Sequence, residues 1–191
     1  MSAARDQSPT QAGVRASGGR RDVIIAAALE TIIERGVHGT SHRVVAECAG
    51  VPLGSMTYYF SGLTELLEEA FALLQHRIAT EHRDVLGAAR SRTEAVTAIV
   101  ELISGDRGPT PDQMRGLAEM YAFANHNSRV AALSRDWLDV TAVTLRGHFD
   151  PGTTSALDAL MEGWNLHRAF VGAPPDRAVV ERAVRGIVGG E

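Results

Sequence analysis

Residues 24–60 read IIAAALETIIERGVHGTSHRVVAECAGVPLGSMTYYF, and this stretch decides how the chain folds. Apolar residues recur in it at helical spacing up to Gly36, where a glycine can end a helix. A short helix then follows Thr40 and Ser41, whose hydroxyls can cap it, and the turn at residues 49–52 separates it from a second short helix. Two short helices joined by a tight turn and braced by a preceding helix predict a helix-turn-helix, whose second helix fits the major groove of DNA.

The composition indicates a soluble globular protein with its charge divided unevenly. The chain has 191 residues, is 45% apolar and carries a net charge of −4. Residues 1–62 hold six arginines and five acidic residues, whereas the remainder holds 13 arginines and 18 acidic residues. An acidic body repels DNA except where a local face meets the phosphates, which favours a defined docking face over indiscriminate binding. No apolar run approaches a membrane span and no signal peptide is evident, so we expect the cytoplasm.

Helical periodicity dominates from residue 21 onward, and the pattern predicts an all-α fold of about nine helices. Residues 1–19 are polar and lack periodicity, so we expect a disordered arm. Arg15, Arg20 and Arg21 lie just ahead of the first helix, where a basic arm can reach phosphates or the minor groove, and the alternative of a solvated tail stays open. Residues 20–62 are predicted to form the helix-turn-helix domain. Residues 63–191 are predicted to form a C-terminal helical domain, beginning with a long helix over about 63–87.

The predicted DNA-contacting residues come from the two short helices. Met56 should point into the core together with Phe60, which leaves the other side of the second short helix for DNA. Tyrosine and threonine hydroxyls can donate to phosphate, and serine, threonine and arginine can bond base edges, while the N-terminal amides of the first short helix can hold a phosphate. The residues left for DNA on the second short helix are Leu53, Gly54, Ser55, Thr57, Tyr58 and Tyr59. The alternative that the two tyrosines only pack against the long fourth helix stays open.

The segment resembles the DNA-binding module of the TetR family of bacterial regulators. The resemblance rests on Ala27-Ala28-Leu29, Glu34-Arg35-Gly36, Thr40-Ser41, Ala49-Gly50-Val51, and the run from Gly54-Ser55-Met56 to Tyr59-Phe60. It implies a homodimer that places two recognition helices on a palindromic operator. It further implies a set of DNA-contacting residues in which Arg43 is the favoured base reader, namely Ser41, His42, Arg43, Leu53, Ser55, Thr57, Tyr58 and Tyr59. It also implies a C-terminal domain that binds a small-molecule effector, with the long fourth helix linking effector binding to the spacing of the DNA-binding modules.

Two further sets of residues are expected in the C-terminal domain. Aromatic side chains, most of them with a polar tip, suit an effector pocket, and this set is Tyr121, Phe123, His126 and Trp137. The alternative that each of them has an ordinary core or surface placement stays open. Broad apolar surfaces on the last two helices suit a four-helix dimer seam, and this set is Leu157, Leu160, Met161, Trp164, Val180, Val184 and Ile187. The alternative that all seven seam residues face the subunit's own core stays open.

Other classes of function remain possible at this point. An architectural DNA-binding protein without an effector would share the helix-turn-helix. A helical enzyme would need a nucleophile with a base or a cofactor motif, and the sequence contains no Gly-rich phosphate loop and no GxSxG motif. It also contains no HExxH or CxxC motif, and its single cysteine excludes an internal disulfide, so we expect neither a metal nor a cofactor.

The start of the fourth helix departs from the family pattern. Many family members have a Ser-Lys pair where this chain has Gly62-Leu63, so both a helix cap and a phosphate-binding lysine are missing.

We therefore predict that Leu63→Lys tightens operator binding and steepens its salt dependence by about one ion, because one more phosphate would be neutralised. The measurement is the slope of log Kd against log salt concentration, compared with the slope for Leu63→Met, which adds no charge. An unchanged slope would show that position 63 does not approach a phosphate.

Overall fold

Nine α-helices and no strand make up residues 19–189, the part of the chain that the computed structural model describes, apart from the side chains at positions 137, 138 and 140. The all-α prediction is confirmed. The helices are α1 (Arg20–Arg35), α2 (His42–Ala49), α3 (Gly54–Tyr59), α4 (Leu63–Gly87), α5 (Arg92–Ser104), α6 (Pro111–Ala124), α7 (Ser128–Leu145), α8 (Pro151–Val171) and α9 (Arg177–Val188).

Local capping chemistry explains where several helices begin. The Ser41 hydroxyl accepts a hydrogen bond from the Val44 amide and caps α2. Thr110 forms a capping box with Gln113 at the start of α6. The Asp150 side chain accepts hydrogen bonds from the amides of Gly152 and Thr153 and so caps the start of α8.

The prediction of a basic arm ahead of the first helix is only partly testable, because residues 1–18 lie outside the described residues. Arg20 and Arg21 are not ahead of α1 but form its first turn. Arg21 bonds Glu69 of α4 at 3.3 Å, and its guanidinium lies 5.2 Å from the centre of the Phe60 ring. These contacts hold Arg21 against α4, so the expectation that it reaches out to phosphates is corrected.

One apolar cluster joins the first three helices to the rest of the chain. It contains the buried faces of α1 and α2, Met56 and Phe60, the first half of α4, part of α6 and Val130 of α7. The prediction that Met56 and Phe60 point into the core is confirmed, because they are 0% and 3% exposed. The predicted domain boundary at residue 62 therefore crosses a continuous core.

A second apolar cluster lies at the other end of the helical body, where α5, α8 and α9 meet the ends of α4 and α7. It buries four of the seven residues predicted for the dimer seam, namely Leu157, Met161, Val180 and Val184. The structure corrects the prediction for these four, since a side chain buried inside one subunit has no surface left for another. The other three, Leu160, Trp164 and Ile187, are half-buried and pack against the same cluster.

Two titratable side chains in this body have pKa values displaced in opposite directions. Burial lowers the pKa of His82, on α4, from 6.5 to about 4, although the neighbouring Glu81 opposes the shift. Burial raises the pKa of Asp158, on α8, from 3.8 to about 6, and the charge of Glu162 adds to this effect. His82 therefore resists gaining a positive charge, and Asp158 resists gaining a negative one.

These shifts predict opposing contributions to the pH dependence of stability. The contribution of His82 is complete above pH 6.5 and is lost as the pH falls towards 4, because the unfolded chain binds the proton more tightly. At ~1.4 kcal/mol per pKa unit this amounts to about 3 kcal/mol. The contribution of Asp158 is complete below pH 3.8 and is lost as the pH rises through 6.

The free energy of unfolding, measured with denaturant between about pH 4 and 7, tests both assignments. We expect it to fall more steeply with decreasing pH in Asp158→Asn than in the wild type, and less steeply in His82→Gln. Parallel pH profiles for the two variants would contradict this assignment.

Candidate nucleic-acid interface

The turn between α2 and α3 sets the angle of the helix-turn-helix. Gly50 ends α2 in the left-handed region, with φ 64° and ψ 35°, a conformation that glycine adopts without steric cost. The Val51 amide donates to the Ala46 carbonyl at 3.0 Å, which closes the end of α2 before the chain enters α3. This local geometry turns the chain sharply enough for the two short helices to share one side of the core.

The helix α3 has a buried side and an exposed side, as the sequence predicts for a recognition helix. Met56 anchors the buried side, whereas the side chains of Tyr58 and Leu53 are 81% and 54% exposed. Thr57 is also exposed, but its hydroxyl already donates to the Gly54 carbonyl at 3.2 Å. The outward side of α3 therefore offers a tyrosine hydroxyl and an apolar contact at its two ends.

Tyr59 and Ser55 lie at the edge of this exposed side. Tyr59 is half-buried, packs against the first apolar cluster and meets Tyr58 edge to face, with ring centres 4.8 Å apart. Ser55 is half-buried at the first turn of the helix. Tyr59 thus acts mainly as a support that fixes the direction of Tyr58.

The three residues predicted on α2 are placed differently from one another. The Ser41 oxygen is occupied as the helix cap. His42 is half-buried, and its Nε2 atom is buried without a hydrogen-bond partner among the described residues. Arg43 is exposed, and its Nε lies 3.2 Å from Glu47 Oε1 in an ion pair open to solvent. Exposed pairs of this kind contribute little, so the guanidinium can exchange Glu47 for another partner.

The start of α4 lacks a side-chain cap at Gly62, and a carboxylate one turn into the helix bonds the preceding residue instead. Gly62 supplies no side-chain cap, as expected, but Glu65 accepts hydrogen bonds from both the amide and the hydroxyl of Ser61, each at 2.7 Å. These bonds lower the pKa of Glu65 and keep it ionised. Leu63 is half-buried against the first apolar cluster. A carboxylate therefore stands at this helix start, where it would repel a phosphate.

The predicted effector residues do not form one group. Tyr121 is half-buried, and its hydroxyl donates to Glu162 of α8 at 2.8 Å. Burial is the main reason that the pKa of Tyr121 is raised, followed by the charge of Glu162. Phe123 packs on Phe71 of α4 at 5.6 Å between ring centres, and His126 is exposed. The side chain of the fourth predicted residue, Trp137, lies outside the described residues.

Sequence reasoning missed the two acidic residues that meet Tyr121. Asp158 and Glu162 are one turn apart on α8 and both are half-buried, although acidic residues at helical spacing usually lie on a solvated face. The sequence held one indication of their burial, because Asp158 directly follows the core residue Leu157 and Glu162 directly follows the core residue Met161. The inward-facing acidic pair could be recognised only once α6 was placed against α8.

Residues 19–189 contain neither a cluster of metal ligands nor a membrane-spanning helix. No group of three or more His, Cys, Asp or Glu side chains in this range could hold a metal ion. None of the nine helices is both long and apolar enough to cross a membrane.

Comparison with known proteins assigns the family. Residues 24–70 match the family described as bacterial regulatory proteins, tetR family. The chain is 31% identical over 117 residues to the HTH-type transcriptional regulator PksA of Bacillus subtilis (strain 168), a match that covers 61% of this chain and 57% of PksA. The chain belongs to the TetR family. It is also 32% identical over 83 residues to the regulator SrpR of Pseudomonas putida, across 44% of this chain and 39% of SrpR. Each match thus spans less than two thirds of the relative's length.

Solved structures show that the likeness to known proteins extends beyond the helix-turn-helix to most of the chain. SCO7518 from Streptomyces coelicolor A3(2), described as a candidate transcriptional regulator, superposes with a TM-score of 0.79 at 41% identity, over 88% of this chain and 98% of its own. The multidrug binding protein EbrR in complex with imidazole superposes with a TM-score of 0.71 at 27% identity, over 92% of this chain and 98% of its own. The protein is therefore a transcriptional regulator of the TetR family, with a DNA-binding helix-turn-helix in α1–α3.

Proposed function

We propose that this TetR-family regulator is a repressor that binds a palindromic operator as a homodimer and is released when a small-molecule effector binds its C-terminal helices. The observation that carries the proposal is the outward side of α3, which stands free of the core and is long enough to enter a major groove. The chromosome is its target, so it acts in the cytoplasm.

In the proposed complex, α3 lies in the major groove and the start of α2 meets the adjacent backbone. Arg43 leaves Glu47 and reads a guanine, because a guanidinium can bond its O6 and N7 together. Leu53 contacts a thymine methyl, and Tyr58 donates its hydroxyl to a phosphate. The other predicted residues set the edges of this surface, namely Ser41, His42, Ser55, Thr57 and Tyr59.

The proposed dimer seam is a stripe on α8 that differs from the predicted one. Its residues are all exposed and are spaced three and four apart, which is the spacing of a helix-helix seam. Small residues at one end let a second helix approach closely, and large apolar residues fill the other end. Phe170 is 81% exposed and Leu166 is 50% exposed. The stripe is Ala156, Ala159, Gly163, Leu166 and Phe170.

The proposed effector site lies where α6 meets α8. Tyr121, Asp158 and Glu162 place acceptor oxygens in a half-buried setting, and Glu162 already accepts from the tyrosine. A small molecule that carries hydrogen-bond donors or positive charge could replace the tyrosine hydroxyl at Glu162. EbrR, which shares the fold, has been crystallised with imidazole and with ethidium, so these compounds are reasonable first probes.

Selection of bound duplexes from a random pool tests the DNA-binding proposal. We expect a palindrome with half-sites about one helical turn apart. For Arg43→Ala, we expect the base preference to be lost at one position in each half-site.

Phe170→Asp should convert the dimer to a monomer and weaken operator binding by at least about tenfold, because the second helix-turn-helix is no longer tethered to the first. The measurements are sedimentation equilibrium and operator Kd at fixed salt.

Val143→Asp is the matched control for the dimer, since Val143 is an exposed valine of α7 outside the stripe. It should leave both measurements unchanged. Equal affinity of the wild-type protein for selected and random DNA would instead support an architectural DNA-binding protein.

The effector site is tested by thermal unfolding in the presence of imidazole or ethidium. A compound present at about 100 times its Kd stabilises the folded state by about 2.7 kcal/mol, which raises the melting temperature by roughly 5 to 10 °C for a chain of this size. Glu162→Gln should abolish the rise, whereas Asp139→Asn, at an exposed acid of α7, should preserve it. A rise that survives in Glu162→Gln would place the binding site elsewhere.

A further inference from the structure

The helix α6 is bonded directly to the turn that connects α1 to α2. The backbone amide of Val37 donates to Glu119 Oε2 at 2.8 Å, across 82 residues of sequence. Val37 follows the end of α1 at Arg35, so its amide has no partner within a helix. Because both residues are half-buried, loss of the carboxylate would leave a backbone donor poorly satisfied.

The same side of α6 lies unusually close to α1 and α4. A Cβ atom at Gly116 would lie 2.8 Å from Leu74 Cδ2 and 3.5 Å from Ile33 Cγ1. Gly116 and Glu119 are three residues apart, so they lie on one side of the helix. The crossing at Gly116 brings α6 near enough for Glu119 to reach the turn at Val37.

The opposite side of α6 is bonded to α8. Tyr121 lies two residues after Glu119 and therefore points away from it by about half a helical turn. Its hydroxyl donates to Glu162 of α8 at 2.8 Å. The helix α6 thus connects two hydrogen bonds, one to the helix-turn-helix and one to the C-terminal body.

We propose that Glu119 is a positioning residue for DNA binding, and that it transmits the state of the Tyr121–Glu162 contact to the helix-turn-helix through the Val37 amide. The bond is charge-assisted and reaches the backbone of the turn, so a movement of α6 displaces the turn itself. An effector that takes Glu162 from Tyr121 removes a hydrogen bond that holds α6 to α8, and the change reaches α2 through the Glu119–Val37 bond. The inference rests on the proposed function, since it requires an operator whose affinity can be measured.

A double-mutant cycle on operator affinity tests the inference without an effector. Tyr121→Phe removes the bond to Glu162, and Glu119→Ala removes the bond to Val37. We expect each single variant to bind the selected operator about fivefold more weakly. The double variant should bind within about twofold of Glu119→Ala, because the first contact then has no route to the turn. The inference would be overturned if the two single-variant changes in Kd multiplied in the double variant, or if Glu119→Ala left the Kd unchanged.

Three further measurements separate positioning from general stability. Glu119→Gln keeps an acceptor oxygen and should restore the wild-type Kd. Arg115→Ala, on the exposed side of α6, should leave the Kd unchanged. Hydrogen exchange of the Val37 amide should rise in Tyr121→Phe, and this readout remains decisive if Glu119→Ala fails to fold. An unchanged exchange rate overturns the inference, whereas a wild-type protein that binds no selected operator refutes the proposed function itself.

Discussion

The helix-turn-helix shares one apolar core with the helices that follow it, and the rest of the structure depends on this shared burial. Met56 and Phe60 enter a cluster that also contains the first half of α4 and the inner side of α6. A module of three short helices buries too little surface to be stable alone, so contact with α4 and α6 supplies what it lacks. The same contact prevents the module from moving independently of the body.

That shared core decides how a signal can travel through the chain. Helices packed at the density of a protein interior do not deform gradually, so a change at α8 can reach α2 only by moving a neighbouring helix as a unit. The helix α6 is placed for this role, because it lies against α1 and α4 on one side and is bonded to α8 on the other. Specific hydrogen bonds at Val37 and Glu162 define the ends of the route.

Electrostatics restrict the DNA-binding surface more than composition suggests. Arg21 is held by Glu69, which itself also bonds Arg129 at 2.8 Å, so these charges support the packing of α1, α4 and α7. Among the described residues of α2 and α3, Arg43 and Glu47 are the charged pair, and Glu65 adds a negative charge at the start of α4. In the proposed complex, close fit, hydroxyl groups and helix N-termini therefore add to the contact made by Arg43, which favours discrimination between sequences over tight general binding.

The sequence by itself determined the helical class, the helix-turn-helix and the inward direction of Met56 and Phe60, because these depend on local periodicity, caps and turn chemistry. It could not decide which apolar residues of α8 and α9 face the subunit's own core, since a broad apolar surface suits either a core or a seam. Nor could it show that Asp158 and Glu162 lie beside Tyr121, or that Glu119 reaches Val37. Only the tertiary structure decided these points, because each depends on contacts between helices far apart in the chain, and the spacing within one helix is the same whichever neighbour it meets.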